Sequence, residues 1–245
     1  MASSNLSETG QNAPNAQMPQ ATALPEILPN PEGGAAGLSI ARVAGEGLIN
    51  LRADDKIKAR LETLFGTALP SQPNKMAAIG TRRALWLGPD ETLLMIEEAQ
   101  VAEFMLSVKA TLGDAHYAAT QLSDALVIFR LGGARRLDVL AKGCSLDLHP
   151  DSFDIGDCAQ SLLSHAAITL AADSDDSLLL FCRTSFSDYV CSWLKDAAIE
   201  YGYILLDNSR YPRITGKSKL AAARHRIRWT ATKSADPAQD HLAGQ

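Results

Sequence analysis

Gly132 and Gly133 stand directly before a helical pattern that opens with Arg135 and Arg136. Helix N-terminal amides flanked by guanidinium groups could cradle a phosphate. The spacing matches neither the dinucleotide fingerprint nor a P-loop, so a simple strand-to-helix turn is the stronger reading. Asp173-Ser174-Asp175-Asp176 has the composition of a calcium loop but lacks its glycine and its distant glutamate, which leaves a solvated hairpin turn. His116, His149 and His165 share no metal-like or triad-like spacing with one another or with a cysteine, and are read as structural histidines. Cys144, Cys158, Cys182 and Cys191 form no CxxC pair and sit in a chain too large to need stapling, so they read as reduced and mostly buried. There is no nucleophile elbow, zinc signature or kinase set. The residues therefore nominate no catalytic, cofactor-binding or metal-ligating side chain.

The bulk properties agree with an ordinary globular protein: 46% hydrophobic and 21% charged residues, with a formal net charge of −5. That charge argues against nucleic-acid binding by the whole domain. It is unevenly spread, however. Between Asn208 and Ala235 there are eight Lys or Arg and no Asp or Glu, with Tyr211 and Trp229 interleaved. Such a tail can be a flexible solvated extension, a nucleic-acid contact, or a segment that docks on an acidic partner face around Trp229. No apolar run approaches the ~20 residues that span a bilayer, and the N-terminus lacks a secretory pattern, so a cytoplasmic location is expected.

The elements that would have to position any site follow from the hydrophobic periods. Residues 1–37 hold five of the eleven prolines and no periodicity, and are expected to be disordered. Leu38 to Val43 and Gly47 to Arg52 read as one strand broken by a glycine bulge, or as a hairpin. Asp54-Asp55 opens a helix carrying Ile57, Leu61, Leu64 and Phe65, ended by Gly66. Leu69 to Asn74 is a proline-stiffened connector. Lys75 to Ile79, Arg83 to Leu87 and Thr92 to Ile96 read as antiparallel strands around a Gly88-Pro89-Asp90 turn. Val101, Phe104, Met105, Val108 and Leu112 then mark the buried stripe of a second helix, closed by Gly113.

The same grammar returns roughly eighty to ninety residues later, too long an interval for a solenoid and suggestive of duplicated subdomains. Ala125 to Leu131 is a buried strand, Ala134 to Ala141 a short helix before Gly143, and Cys158 to Ser164, His165 to Ala171 and Leu178 to Arg183 are strands. Ser185, with Asp188 at the capping-box position, opens a last helix along Phe186, Tyr189, Val190, Trp193, Leu194, Ala197 and Tyr201, stopped by Gly202. The expected architecture is α+β: two similar βαββα-type halves, antiparallel sheets with helices on one side, spanning residues 38–206 and dividing into about 38–113 and 114–206. Residues 207–245 form the basic tail.

Two stretches carry a more specific signal. Arg83-Ala84-Leu85-Trp86-Leu87-Gly88-Pro89-Asp90-Glu91 and Leu140-Ala141-Lys142-Gly143-Cys144-Ser145-Leu146-Asp147-Leu148-His149-Pro150 resemble the gamma subunit of heterotetrameric sarcosine oxidase. The likeness extends through Phe153, through Gly156 to Gln160, and into Thr184-Ser185-Phe186-Ser187-Asp188-Tyr189, with Thr92 and Ser145 as departures where an aromatic residue and a proline are expected. The resemblance implies a fold related to the folate-binding domains of aminomethyltransferases. It also implies a non-catalytic or assembly subunit of a complex that demethylates sarcosine to glycine. In that family FAD, FMN, NAD and tetrahydrofolate are assigned to the alpha and beta subunits, so alpha, beta and delta subunits are the expected partners and this chain is expected to hold none of these cofactors. A stand-alone folate-binding protein is the alternative; it needs an acid and an aromatic wall for a pterin, for which Asp124 and Tyr117 are the suggestive pair.

Overall fold

The computed structural model describes residues 26–206. In chain order the elements are β1 (Ile27–Leu28), β2 (Leu38–Val43), β3 (Glu46–Arg52), α1 (Asp55–Ala59), α2 (Glu62–Phe65), β4 (Met76–Ile79), β5 (Arg82–Gly88), β6 (Glu91–Glu97), α3 (Val101–Leu112) and β7 (Ala118–Gln121). They continue with β8 (Leu126–Gly132), α4 (Arg136–Ala141), β9 (Cys158–Leu163), β10 (Ala166–Ser174), β11 (Ser177–Arg183), α5 (Ser187–Ala197) and β12 (Tyr203–Leu206).

The strands form two sheets, one ordered β4-β5-β6-β3-β7 and the other β1-β12-β2-β8-β11-β10-β9. Laid side by side, β4-β5-β6-β3 corresponds to β9-β10-β11-β8, so the repeated hydrophobic grammar is a repeated strand order. The fifth position shows how the halves are joined. β2 precedes β3 in the chain yet pairs with β8, while β7 precedes β8 and pairs with β3. Each half lends its leading strand to the other's sheet. The expectation of a single bulged strand or a hairpin across Leu38 to Arg52 is therefore corrected: Gly45, at φ 80°, turns the chain from one sheet into the other. Gly47 is needed for a different reason, because a β-carbon there would lie 2.1 Å from Val101 Cγ2, where β3 passes the start of α3.

The sheets stack face to face with helices outside both. Leu48, Leu85, Leu93 and Met95 of the five-stranded sheet meet Ile128, Ala171, Leu179 and Phe181 of the other in a shared inner layer. On the outer faces, Ile49, Leu51, Leu94 and Ile96 pack against Leu61, Phe65, Phe104 and Val108. Val127, Phe129, Leu178 and Leu180 pack against Val139, Leu140, Val190 and Leu194. Central strands are covered on both sides, which is why β6 and β11 read as continuous apolar runs instead of alternating ones. Burying one such side chain contributes about 1.5–3 kcal/mol.

Several local expectations change. The first helix is split into α1 and α2 around Arg60-Leu61, although Asp54 does cap α1 by accepting the Ile57 N–H at 2.8 Å, and Gly66 ends α2. Ser185 does not cap α5: it lies in a 3-10 turn, the N-cap is Phe186, and no side chain bonds there. β7 has no counterpart in the sequence reading, and β12 adds to β2 in parallel, an exception to the antiparallel rule. Within the stretch assigned to a disordered tail, β1 pairs with β12, and Glu26 receives the Tyr203 hydroxyl at 2.7 Å and lies 2.6 Å from Lys195 Nζ. The remaining tail expectations, for residues 1–25 and 207–245, lie outside the described residues.

Candidate functional site

The glycine turn before α4 is occupied by the chain itself. Gly133 takes φ 97°, and a β-carbon there would sit 2.4 Å from the Gly37 carbonyl oxygen, which also accepts the Arg135 N–H at 2.9 Å. Arg135 pairs with Asp138 at 3.2 Å and lies over the Tyr201 ring at 5.5 Å. Arg136 donates to the carbonyls of Gly133 and Asp175 at 3.1 and 2.5 Å. The arginines that could have met a phosphate hold the β8–α4 corner against its neighbours.

The other candidates are scattered. His116, His149 and His165 are all exposed, on three different connections, and His149 lies 3.5 Å from Asp151. Among the described residues no group of three or more His, Cys, Asp or Glu is placed to hold a metal. The four cysteines are free, and three are buried. Burial pushes the Cys158 and Cys182 thiols up to about 11, so both are neutral thiols near pH 7 and poor nucleophiles. Asp124 is exposed on the turn before β8, where its carbonyl accepts the Thr184 hydroxyl at 2.7 Å.

One site was missed by sequence reasoning. Asp173, read as part of a solvated turn, has a side chain only 2% exposed. Its two oxygens each lie 2.6 Å from a guanidinium, Arg83 of β5 in one sheet and Arg130 of β8 in the other. Burial alone would raise the Asp173 carboxyl pKa, but the two guanidiniums prevail and hold it below the ordinary carboxylate value. The charged triad bridges the stacked sheets as a clamp, with Asp173 and Arg130 on one sheet and Arg83 on the other. Only Asp175 and Asp176 behave as the solvated turn expected.

A concave surface lies between α3 and β7. It has a volume of about 340 Å³ and is walled by Ala102, Met105, Leu106 and Lys109 of the helix and floored by Tyr117 and Ala119. Leu106 is 69% exposed there. The groove brings in Tyr117 but not Asp124, and its lining contains no carboxylate. The aromatic wall and the acid that a pterin requires are therefore not brought together, and these residues do not fit a folate. Among the described residues, no helix is long and apolar enough to cross a membrane.

Two stacked antiparallel-rich sheets with helices outside define the class first. The structure shares its fold with the glycine cleavage system aminomethyltransferase T from Bartonella henselae, at TM-score 0.54 and 9% identity, covering 70% of this chain and 48% of that one. The particular family follows from residues 51–200, which match the sarcosine oxidase, gamma subunit family, and the chain belongs to it. Curated relatives include the sarcosine oxidase gamma subunits of Corynebacterium sp. (strain P-1), 33% identical over 58% of this chain and 70% of that one, and of Corynebacterium sp. (strain U-96), 29% identical over 68% and 87%. A chain of the heterotetrameric sarcosine oxidase from Corynebacterium sp. U-96, solved in complex with pyrrole 2-carboxylate, matches at TM-score 0.64 and 28% identity, covering 69% of this chain and 87% of that one.

Proposed function

We propose that this protein is the non-catalytic, assembling subunit of a heterotetrameric sarcosine oxidase. Its partners are the alpha, beta and delta subunits, in the cytoplasm. The partners' flavins would carry two electrons from the N-methyl carbon of sarcosine to oxygen, giving peroxide. The one-carbon unit passes to tetrahydrofolate as methylene-tetrahydrofolate and leaves glycine. FAD, FMN, NAD and tetrahydrofolate all belong to partner subunits in this reading, and no step runs through residues of this chain.

The observation that supports a structural role is the fate of Asp173. The buried carboxylate that could have done acid or base work is held charged between Arg83 and Arg130, joining the two sheets. General acid and base groups instead need a pKa tuned toward the working pH and access to substrate. The shared fold and family membership supply the rest of the argument; the groove at α3 supplies exposed apolar surface for a partner.

The test is made in the assembled complex. Co-expressed with flavoprotein partners, the chain should purify with them in fixed ratio, and alone it should be colourless and make no peroxide from sarcosine. Asp124→Ala, Arg135→Ala and His149→Ala should each leave turnover of the fully flavinated complex within a few fold. A loss of ~100-fold or more, the usual contribution of a catalytic acid or base, contradicts the reading.

A further inference from the structure

The duplicated fold contains its own template for what covers the α3–β7 groove. β6 and β11 open at Glu91 and Ser177, and α3 and α5 at Val101 and Ser187, with the same interval between halves. On that alignment Phe104, Val108 and Leu112 fall on Val190, Leu194 and Ala198, all buried. Lys109 falls on Lys195. In the sheets, Ala119 pairs with Leu51 as Ile40 pairs with Leu131, which places Tyr117 and Ala119 where the other half has Leu38 and Ile40. All four face the helix side of their sheets.

In the second half this region is covered. β12 lies parallel along the outer edge of β2, with Tyr203 opposite Leu38 and Leu205 opposite Ile40, and both side chains join the helix-side core. Lys195 closes the top: its Nζ lies 5.7 Å from the centre of the Tyr203 ring and 2.6 Å from a Glu26 oxygen. In the first half no strand adds to the outer edge of β7 among the described residues. The place that Tyr203 and Leu205 fill in one half is, in the other, the 340 Å³ groove. Lys109 stands at its rim with no carboxylate beside it among the described residues. At the outer helix position where α5 has Ser192, α3 has the exposed Leu106.

We infer that the α3–β7 groove receives an extended segment of a partner subunit. The segment adds to β7 as a parallel strand, sets an aromatic or large aliphatic side chain beneath Lys109, and brings a carboxylate to that lysine. This rests on the assembling role proposed above. Edge-strand addition satisfies the main-chain groups of β7, and alternate side chains of the guest fill the groove. A second copy of this chain is a poor occupant, because a two-fold axis would set two β7 strands antiparallel whereas β12 runs parallel to β2. The chain's own residues 208–235 are a poor occupant too, carrying eight Lys or Arg and no acid to meet Lys109.

The experiment uses the full chain co-expressed with its flavoprotein partners, with a photoreactive benzophenone amino acid placed at Leu106. Irradiation should join this position to one partner subunit, within a segment of alternating apolar residues that includes Asp or Glu. An adduct to residues 207–245, to another copy of this chain, or to nothing would overturn the inference. In parallel, Leu106→Asp should lower recovery of this chain with its partners by about tenfold or more, the scale expected for losing one buried leucine contact. Ser192→Asp, on the half already closed by β12, should leave recovery unchanged. Lys109→Glu alters an exposed side chain and keeps the fold, so it should lower recovery without shifting the melting temperature. If wild type co-purifies and both groove variants do so equally well, the groove is excluded and the assembling role stands; if wild type fails to co-purify, both readings fall.

Discussion

The half of the molecule ending in α5 and the half ending in α3 share strand order, helix placement and buried positions, and they differ chiefly in what lies beyond the fifth strand of each sheet. Beyond β2 the chain supplies β12 and then β1, with Tyr203 and Leu205 sealing the helix face. Beyond β7 it supplies nothing among the described residues, and α3 there shows Leu106 and Met105 where α5 shows Ser192 and Cys191. The repeated strand order gives two equal frames that share one inner layer, and the difference between them lies in the closing strand and the outer helix face.

The largest expected effect comes from breaking the clamp on which both halves depend. Asp173→Ala leaves the partly buried Arg83 and Arg130 without their counter-charge and should destabilise the fold by roughly 3 kcal/mol in urea unfolding, in one transition. The combined replacement Arg83→Met, Asp173→Leu, Arg130→Met should recover most of that. A loss below about 1 kcal/mol for Asp173→Ala would show that the halves are held by the apolar layer alone.

Next in size is a direct contrast between halves. Tyr203→Ala, removing a buried ring and its bond to Glu26, should cost about 3 kcal/mol. Leu106→Ala, on the uncovered helix face, should stay within about 0.5 kcal/mol in the isolated chain. Comparable losses at both positions would mean that the first half is also closed.

The clamp also sets a pH dependence. Asp173 has its pKa lowered in the folded state, so its contribution is present above the unfolded carboxylate value of about 3.9 and is lost as pH falls through the folded value. Asp173→Asn should therefore be less stable than wild type by about 2 kcal/mol at pH 7, with the gap closing below pH ~4. A gap independent of pH would assign the loss to packing instead.

The smallest effect concerns Thr92, fully buried with a hydroxyl that finds no hydrogen-bond partner among the described residues. Thr92→Val keeps the shape and removes the unpaired group, and should stabilise the protein by about 1 kcal/mol. A destabilised Thr92→Val would mean that the hydroxyl is satisfied in solution.

What the sequence made legible was local. The α3 stripe from Val101 to Leu112, the β5–β6 turn at Gly88-Pro89-Asp90 and the α2 stop at Gly66 each declare themselves within a few residues, because helix period and turn chemistry are short-range. The strand exchange did not, since β2 and β3 read as neighbours and only pairing across the molecule separates them. β7 is Ala-Ala-Thr-Gln, too small and polar to announce a strand. Asp173 sits beside Ser174, Asp175 and Asp176 in a run that looks solvated, and its two arginines lie far away in sequence. The histidines lie on three separate exposed connections and the glycine turn is filled by the chain's own backbone; the groove at α3 left no local trace beyond an apolar helix.

The most direct test of the account is amide hydrogen exchange on this chain, free and in complex with its flavoprotein partners, with the two halves compared in the same sample. Residues 118–121 of β7 and the outer face of α3 should exchange readily in the free chain and become protected on assembly, while β2 and β12, already paired to each other, should change little. Equal protection of β7 and β2 in the free chain, or no added protection of β7 in the complex, would contradict the idea that one half is closed by its own strand and the other by a partner's.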